Sequence, residues 1–264
     1  MSPKRKVVVT GLGALAPNGN TLSKYWGALI SGKSGIRKIK SFDAESLNVK
    51  IAGELKDFDP QAYFNRKDIR KLDPFTIYHM VSAEEAISRS ELDLEKENLD
   101  RIGVIIGTGI GGIQTLENEH GVFSQRGQRR VSPFFVPRFI PNIASGNLAI
   151  RFGLKGPNHT IISACASGTD AIGCAARTIQ YGDADVMITG GSEASITGLT
   201  ISGFANIKAL STRNDSPESA SRPFDLERDG FVLGEGAAAL VLEDEEHAKN
   251  RNATILAELA GNGA

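Results

Sequence analysis

Two cysteines among 264 residues cannot build a disulfide framework, nor by themselves a four-ligand zinc site. No stretch of about 18 apolar residues occurs, which excludes a membrane-spanning helix. An excess of one charge is also missing. Thirty basic residues stand against 31 acidic ones, and a formal net charge of -1 leaves nothing to hold a nucleic-acid backbone. The opening Met1-Ser2-Pro3-Lys4-Arg5-Lys6 leads into an apolar run too short for a secretory signal. The expectation is a globular, cytoplasmic protein with no membrane insertion. Its 41% hydrophobic and 23% charged residues suit a chain long enough to bury a substantial core.

Glycine is abundant, 29 residues against 10 prolines, but it lacks the fixed period of collagen or of short repeats. It gathers where apolar runs end, at Gly11 and Gly13, Gly107 to Gly112, Gly190 and Gly191, Gly234 and Gly236. Apolar strands followed by glycine turns and helices predict an α/β fold with no visible domain linker. Strands are predicted at 7–10, ending at Gly11, at 102–106, at 160–162, at 185–189, stopped by Gly190-Gly191, and at 237–242. A helix is predicted from about Thr21, with Leu22, Tyr25, Trp26, Leu29 and Ile30 on one stripe and Gly32 as its stop. A second opens at Asp73-Pro74, an N-cap acceptor followed by proline, and buries Ile77, Met80, Val81 and Ile87. A third runs through Ala171, Ile172, Ala175, Ala176 and Ile179. Residues 255–259 begin another strand, and the ending soon afterwards reads as an interruption.

Two glycine loops imitate nucleotide sites. Gly11-Leu12-Gly13-Ala14-Leu15-Ala16 has dinucleotide spacing after a strand, but Pro17-Asn18-Gly19 breaks the helix that should follow. No acid stands about 20 residues on to bind a ribose. Gly107-Thr108-Gly109-Ile110-Gly111-Gly112 repeats the spacing, and its acid is missing too, since no Asp or Glu occurs between Gly121 and Thr169. Neither has the lysine and hydroxyl of a P-loop. Close approach of backbone to a helix or a bound chain explains these glycines better.

Ser163-Ala164-Cys165-Ala166-Ser167-Gly168 lies between a strand and a helix, which sets the Cys165 sulfur at or near a helix N-terminus. Such positions favour a thiolate, and the small neighbours leave room for a bulky acyl group. The competing reading is a buried small residue, common for free cysteine. Cys174 is about 13.5 Å further along the same helix by helical rise, too far for a disulfide, and its apolar neighbours predict a core position.

Longer motifs carry a resemblance. Residues 209–215 (Ala-Leu-Ser-Thr-Arg-Asn-Asp), 221–225 (Ser-Arg-Pro-Phe-Asp) and 228–237 (Arg-Asp-Gly-Phe-Val-Leu-Gly-Glu-Gly-Ala) resemble the β-ketoacyl-[acyl-carrier-protein] synthases. So do Ser163 to Gly168, the loop Ser132-Pro133-Phe134-Phe135-Val136-Pro137, and Gly182-Asp183-Ala184-Asp185. The elongating enzymes of type II fatty-acid synthesis are the most similar. The resemblance implies a thiolase-like α/β fold layered α-β-α-β-α, of which this chain supplies the first half, usually as a homodimer. Residues 1–250 would be the N-terminal half and 251–264 the start of the C-terminal half. Cys165 would be the nucleophile, with its own N–H as one oxyanion donor. Ile110, Phe135 and Phe204 would line the acyl pocket. Substrates would arrive on the phosphopantetheine of acyl carrier protein, with no separate cofactor.

Carrier proteins of this kind are strongly acidic. The resemblance implies docking by Lys67, Arg70, Lys71, Arg129, Arg130 and Lys208. Arg126, Arg138, Arg151 and Lys155 also stand in the acid-free stretch, and as composition alone such runs are more often solvated faces. The family's two catalytic histidines lie in motifs resembling H-G-T-x-T and K-x-x-x-G-H. Here the four histidines are His79, His120, His159 and His247, and none has that setting. Condensation by this chain alone is therefore not expected. The alternatives are a polyketide-type ketosynthase and a non-catalytic partner subunit that modulates chain length. Cys165 argues against the second.

Overall fold

The computed structural model describes residues 4–263. In chain order its elements are β1 (Val7–Leu15), α1 (Leu22–Ile30), β2 (Arg37–Lys38), β3 (Ile51–Ala52), α2 (Arg66–Ile69), α3 (Pro74–Ser90), β4 (Ile102–Gly107), α4 (Ile113–Arg126), α5 (Phe135–Phe139), α6 (Ile143–Phe152), β5 (Asn158–Ile161), α7 (Ser167–Gln180), β6 (Val186–Glu193), α8 (Gly198–Asn206), β7 (Gly236–Asp244), α9 (Glu245–Asn250) and β8 (Ala257–Glu258). Six strands join in one mixed sheet, ordered β5-β4-β6-β7-β1-β8. β5, β4 and β6 are parallel, while β7, β1 and β8 each run antiparallel to the strand before them in that order. β2 and β3 form a separate ribbon.

Period-two alternation divides the apolar strands between two layers. Val104, Ile106, Val186, Ile188, Ala239 and Val241 share a cluster with Phe75, Met80, Ala83 and Ala86 of α3. Their sequence neighbours Ile105, Met187 and Leu242 instead join Val7, Val9 and the α7 residues Ala171, Ala175, Ala176 and Ile179. The sheet is thus sandwiched between α3 and α7. A smaller cluster gathers Val49, Ile51, Ile201 and Leu210. Among the described residues no helix is long and apolar enough to cross a membrane.

Several elements begin where the sequence places them. Thr21 caps α1 by accepting from the Lys24 N–H, and Asp73 caps α3 by accepting from the Phe75 N–H at 3.2 Å. The other oxygen of the buried Asp73 carboxylate accepts from the N–H and hydroxyl of Thr115, tying α3 to α4.

Three expectations need correction. β1 does not end at Gly11, and β6 is not stopped by Gly190-Gly191, since both strands run through their glycines. A Cβ at Gly11 or Gly13 would strike the α3 backbone at Ala86 or Ser82, so missing side chains mark close packing rather than turns. The apolar stripe of α1 is not buried either. The helix buries Ala28 and leaves Trp26 62% and Ile30 70% exposed.

Candidate active site

Between β5 and α7 the chain makes a single 3-10 turn, Ala164–Ala166, with an exposed Cys165 at its centre. Ala164 is left-handed, φ 52°, a conformation that costs a side-chain-bearing residue about 1–3 kcal/mol. The turn is held by Ser167, whose hydroxyl accepts from the Ser163 N–H at 2.9 Å and donates to the Ala164 carbonyl at 2.6 Å. The Ser163 hydroxyl donates to Asp170 one turn into the helix. Behind the turn, Gly168, Gly191 and Gly107 meet backbone to backbone. A Cβ on Gly191 would stand 3.1 Å from the Gly168 Cα and 3.2 Å from the Gly107 carbonyl oxygen. The first turn of α7 therefore sits directly on the ends of β4 and β6, and this fixes the position of the sulfur.

Cys165 opens onto a cavity of about 560 Å³. Ile110 and Phe204 line it, and Phe231 meets Phe204 edge-on with ring centroids 5.4 Å apart. Phe135 does not line the cavity of this chain. It stands in α5 four residues from Phe139, and the two rings stack on one helix face at 5.8 Å. A larger groove, about 1020 Å³, runs past Lys24, Lys33, Arg37 and Lys56 and shares only Glu235 with the first. Its lining includes Ser34 and Ser41 but neither cysteine.

Two carboxylates on the cavity wall were not singled out from sequence as site residues. Glu235 is pushed up to about 7 by burial, with the nearby charge of Glu54 adding to the shift and the Leu55 N–H, at 2.8 Å, opposing it. Glu193 is raised by burial and partly restored by the N–H groups of Gly109 and Ile110. The signal available for Glu193 was an acid two residues beyond a glycine pair at a strand end. Phe231 and Glu235 lay inside a quoted motif, but nothing in the motif said which side chains point into a cavity.

Lys67, Arg70, Lys71, Arg129, Arg130 and Lys208 are all exposed. Lys71 pairs with Asp68 at 3.6 Å, and the other five have no ion pair among the described residues. Part of the basic stretch is paired with acids of the chain at the surface: Arg151 pairs with Glu84 at 2.9 Å and lies over the Phe64 ring, and Lys155 reaches Asp100 at 3.6 Å.

None of the four histidines lines the cavity. His79 is fully buried in α3, while His120 and His159 are exposed. His247 is held by Glu243 at 2.8 Å and Glu97 at 2.9 Å, and the Glu243 bond leads in pushing it up to about 9. Burial alone would raise Glu243, but Arg251, His247 and Thr10 together hold it down to about 2. These are structural ion pairs.

The family model described as the N-terminal domain of beta-ketoacyl synthase matches residues 4–248. The chain belongs to the beta-ketoacyl synthase family. Two relatives carry the name 3-oxoacyl-[acyl-carrier-protein] synthase 2. That from Coxiella burnetii is 52% identical over 98% of this chain, and that from Staphylococcus aureus strain COL is 49% identical over all of it. The chain spans 63% of the length of each. Among solved structures, a beta-ketoacyl synthase from Burkholderia phymatum superposes with a TM-score of 0.86 at 35% identity, covering 96% of this chain and 62% of its own. The ishigamide ketosynthase/chain length factor gives 0.89 at 27% identity, covering 98% and 63%. As a beta-ketoacyl synthase domain, the chain has the thiolase-like α/β fold that its sequence resemblance implied.

Proposed function

We propose that this chain forms the acyl-accepting part of a 3-oxoacyl-[acyl-carrier-protein] synthase of fatty-acid elongation. The observation that carries this reading is the exposed Cys165, fixed on a strained turn and opening into a cavity lined by Ile110, Phe204 and Phe231. The sulfur attacks the carbonyl of an acyl thioester on the phosphopantetheine arm of acyl carrier protein. A tetrahedral oxyanion forms, with the Cys165 N–H as one donor. Its collapse breaks the bond to the phosphopantetheine sulfur, which leaves as a thiol after taking a proton, and the acyl group stays on Cys165.

Condensation then requires malonyl carrier protein to lose carbon dioxide and its carbanion to attack the new thioester. Charge builds on a second carbonyl oxygen in that step. No histidine of this chain reaches the cavity to stabilise it, so the 264 residues alone accept an acyl group without condensing it. Identities of 52% and 49% to relatives named for the fatty-acid type, against 27% for the ishigamide protein, favour this reading over the polyketide type. The expected homodimer has an unpaired sheet edge available at β5.

The purified chain is mixed with dodecanoyl carrier protein and analysed by peptide mass spectrometry. The expected result is one dodecanoyl group on Cys165, absent in Cys165→Ala. With malonyl carrier protein added, carbon dioxide release stays at the Cys165→Ala background. An unmodified Cys165 would overturn the acceptor assignment, and β-ketoacyl product above background would overturn the inability to condense. Arg129→Glu with Arg130→Glu slows acylation from the carrier at low salt, and the gap closes as salt screens the attraction. Equal rates at low salt would move the docking surface elsewhere.

A further inference from the structure

The loop from Gly107 to Gly112 has the spacing of a phosphate cradle, yet its N–H groups already hold an anion of the chain itself. Glu193 Oε2 accepts from the Gly109 N–H at 2.6 Å and from the Ile110 N–H at 3.3 Å. The Thr108 hydroxyl donates to Glu193 Oε1 at 3.4 Å and accepts from the Gly111 N–H at 3.2 Å. Gly107 and Gly191 are opposite each other in the parallel β4–β6 pair, so this latch closes across the strand ends, next to the nucleophile. Gly109 fills the gap between latch and nucleophile. A Cβ there would stand 2.9 Å from Glu193 Oε2 and 3.4 Å from the carbonyl oxygen of Ala164, the residue before Cys165.

We propose that Glu193 is a positioning residue that fixes Ile110 in the cavity wall and thereby selects the length of acyl chain that Cys165 accepts. The proposal rests on reading Cys165 as the acyl acceptor. A carboxylate in a mostly apolar wall is a costly group, and nothing in thioester attack requires it there. Its three donors account for its position. Charge-assisted hydrogen bonds are about twice as strong as neutral ones. Between Thr108, whose N–H donates to the Ile161 carbonyl at 3.2 Å, and Gly112, whose N–H donates to the Phe139 carbonyl at 3.2 Å, the acceptor of the Gly109 and Ile110 N–H groups is Glu193. With the charge removed, Ile110 moves with its loop and the pocket loses its fixed depth.

The test uses the whole chain and two readouts. Amide exchange at Gly109 and Ile110 is expected to accelerate by about tenfold in Glu193→Gln, while Val104 to Ile106 keep their protection. The ratio of acetyl to dodecanoyl transfer onto Cys165, from the corresponding N-acetylcysteamine thioesters, is expected to shift by about threefold or more, and Glu193→Asp to restore part of it. Unchanged exchange in a folded Glu193→Gln variant overturns the latch. Faster exchange with an unchanged ratio overturns the control of chain length. Should Glu193→Gln not fold, Thr108→Val removes the bridging hydroxyl and is read the same way. If neither thioester modifies the unaltered chain while iodoacetamide does, the acceptor reading fails, and amide exchange still decides the latch.

Discussion

Helix α3, on one face of the sheet, is buried without a break from Phe75 to Ala83, through the polar residues Thr76, His79 and Ser82, and is fully exposed only at Ser88 and Arg89. Helix α7, on the other face, packs along Ala171, Ala175, Ala176 and Ile179 but leaves Thr169 and Arg177 exposed and Ile172 and Cys174 half-buried. The closed layer strands polar atoms: Thr76 Oγ1 and both ring nitrogens of His79 lack a partner. The open layer strands one as well, Asp170 Oδ1, but its serines are in use, Ser163 and Ser167 bracing the turn that presents Cys165. The two helix layers of one sheet thus differ in how closed they are, and substitutions can test that division.

Core truncation gives the largest expected contrast. Phe75 of α3 is fully buried, and Phe75→Ala should cost about 3–5 kcal/mol through lost burial and the cavity left behind. Ile172→Ala on the open side of α7 should cost about 1 kcal/mol or less. Urea unfolding of both variants measures the difference, and comparable losses would mean that α7 is as closed as α3.

Acid should act through the closed layer. Burial lowers His79 to about 4 from its ordinary 6.5. Above pH 6.5 the ring is neutral in both folded and unfolded chains and contributes nothing to the pH dependence. Below 6.5 only the unfolded chain takes up the proton, so stability falls as pH drops towards 4, by about 3 kcal/mol at the limit. His247 has the opposite sign. Its folded value near 9 gives stability that is complete below 6.5 and is lost as pH rises through 9. Urea midpoints between pH 6.5 and 4.5, where the His247 contribution is constant, should fall with acid in the parent chain and fall less in His79→Leu. An equal fall in both would place the acid sensitivity elsewhere.

Much of this division was legible in the sequence, and the failures have physical causes. The Asp73-Pro74 start of α3, the strand at Ile102 and the turn at Cys165 each rest on a local rule, and local rules carried them. Gly11, Gly13, Gly190 and Gly191 were misread as strand ends because a glycine needed for a turn and one needed for contact look alike in sequence. The α1 stripe showed periodicity but could not show that the helix would rest on Ala28. Glu193 was invisible because its partners are N–H groups more than 80 residues away, brought near only by the β4–β6 pairing.

The two cysteines provide the smallest and most local test, since both belong to the α7 layer. Cys165 is exposed on its turn, whereas Cys174 sits half-buried against the α7 side of the sheet together with Leu259. The last described segment reinforces that cover, because Asn262 lies so close to Gly173 that a Cβ there would strike its side chain. Iodoacetamide should therefore modify Cys165 about tenfold faster than Cys174 in the folded chain, and the two should converge in urea, where packing no longer protects either. Leu259→Ala should narrow the ratio in the folded chain by uncovering Cys174 without touching the turn at Cys165. Equal folded-state rates in the unaltered chain would show that α7 is not held against the sheet, and the contrast with α3 would then extend to the whole helix rather than to its outer side.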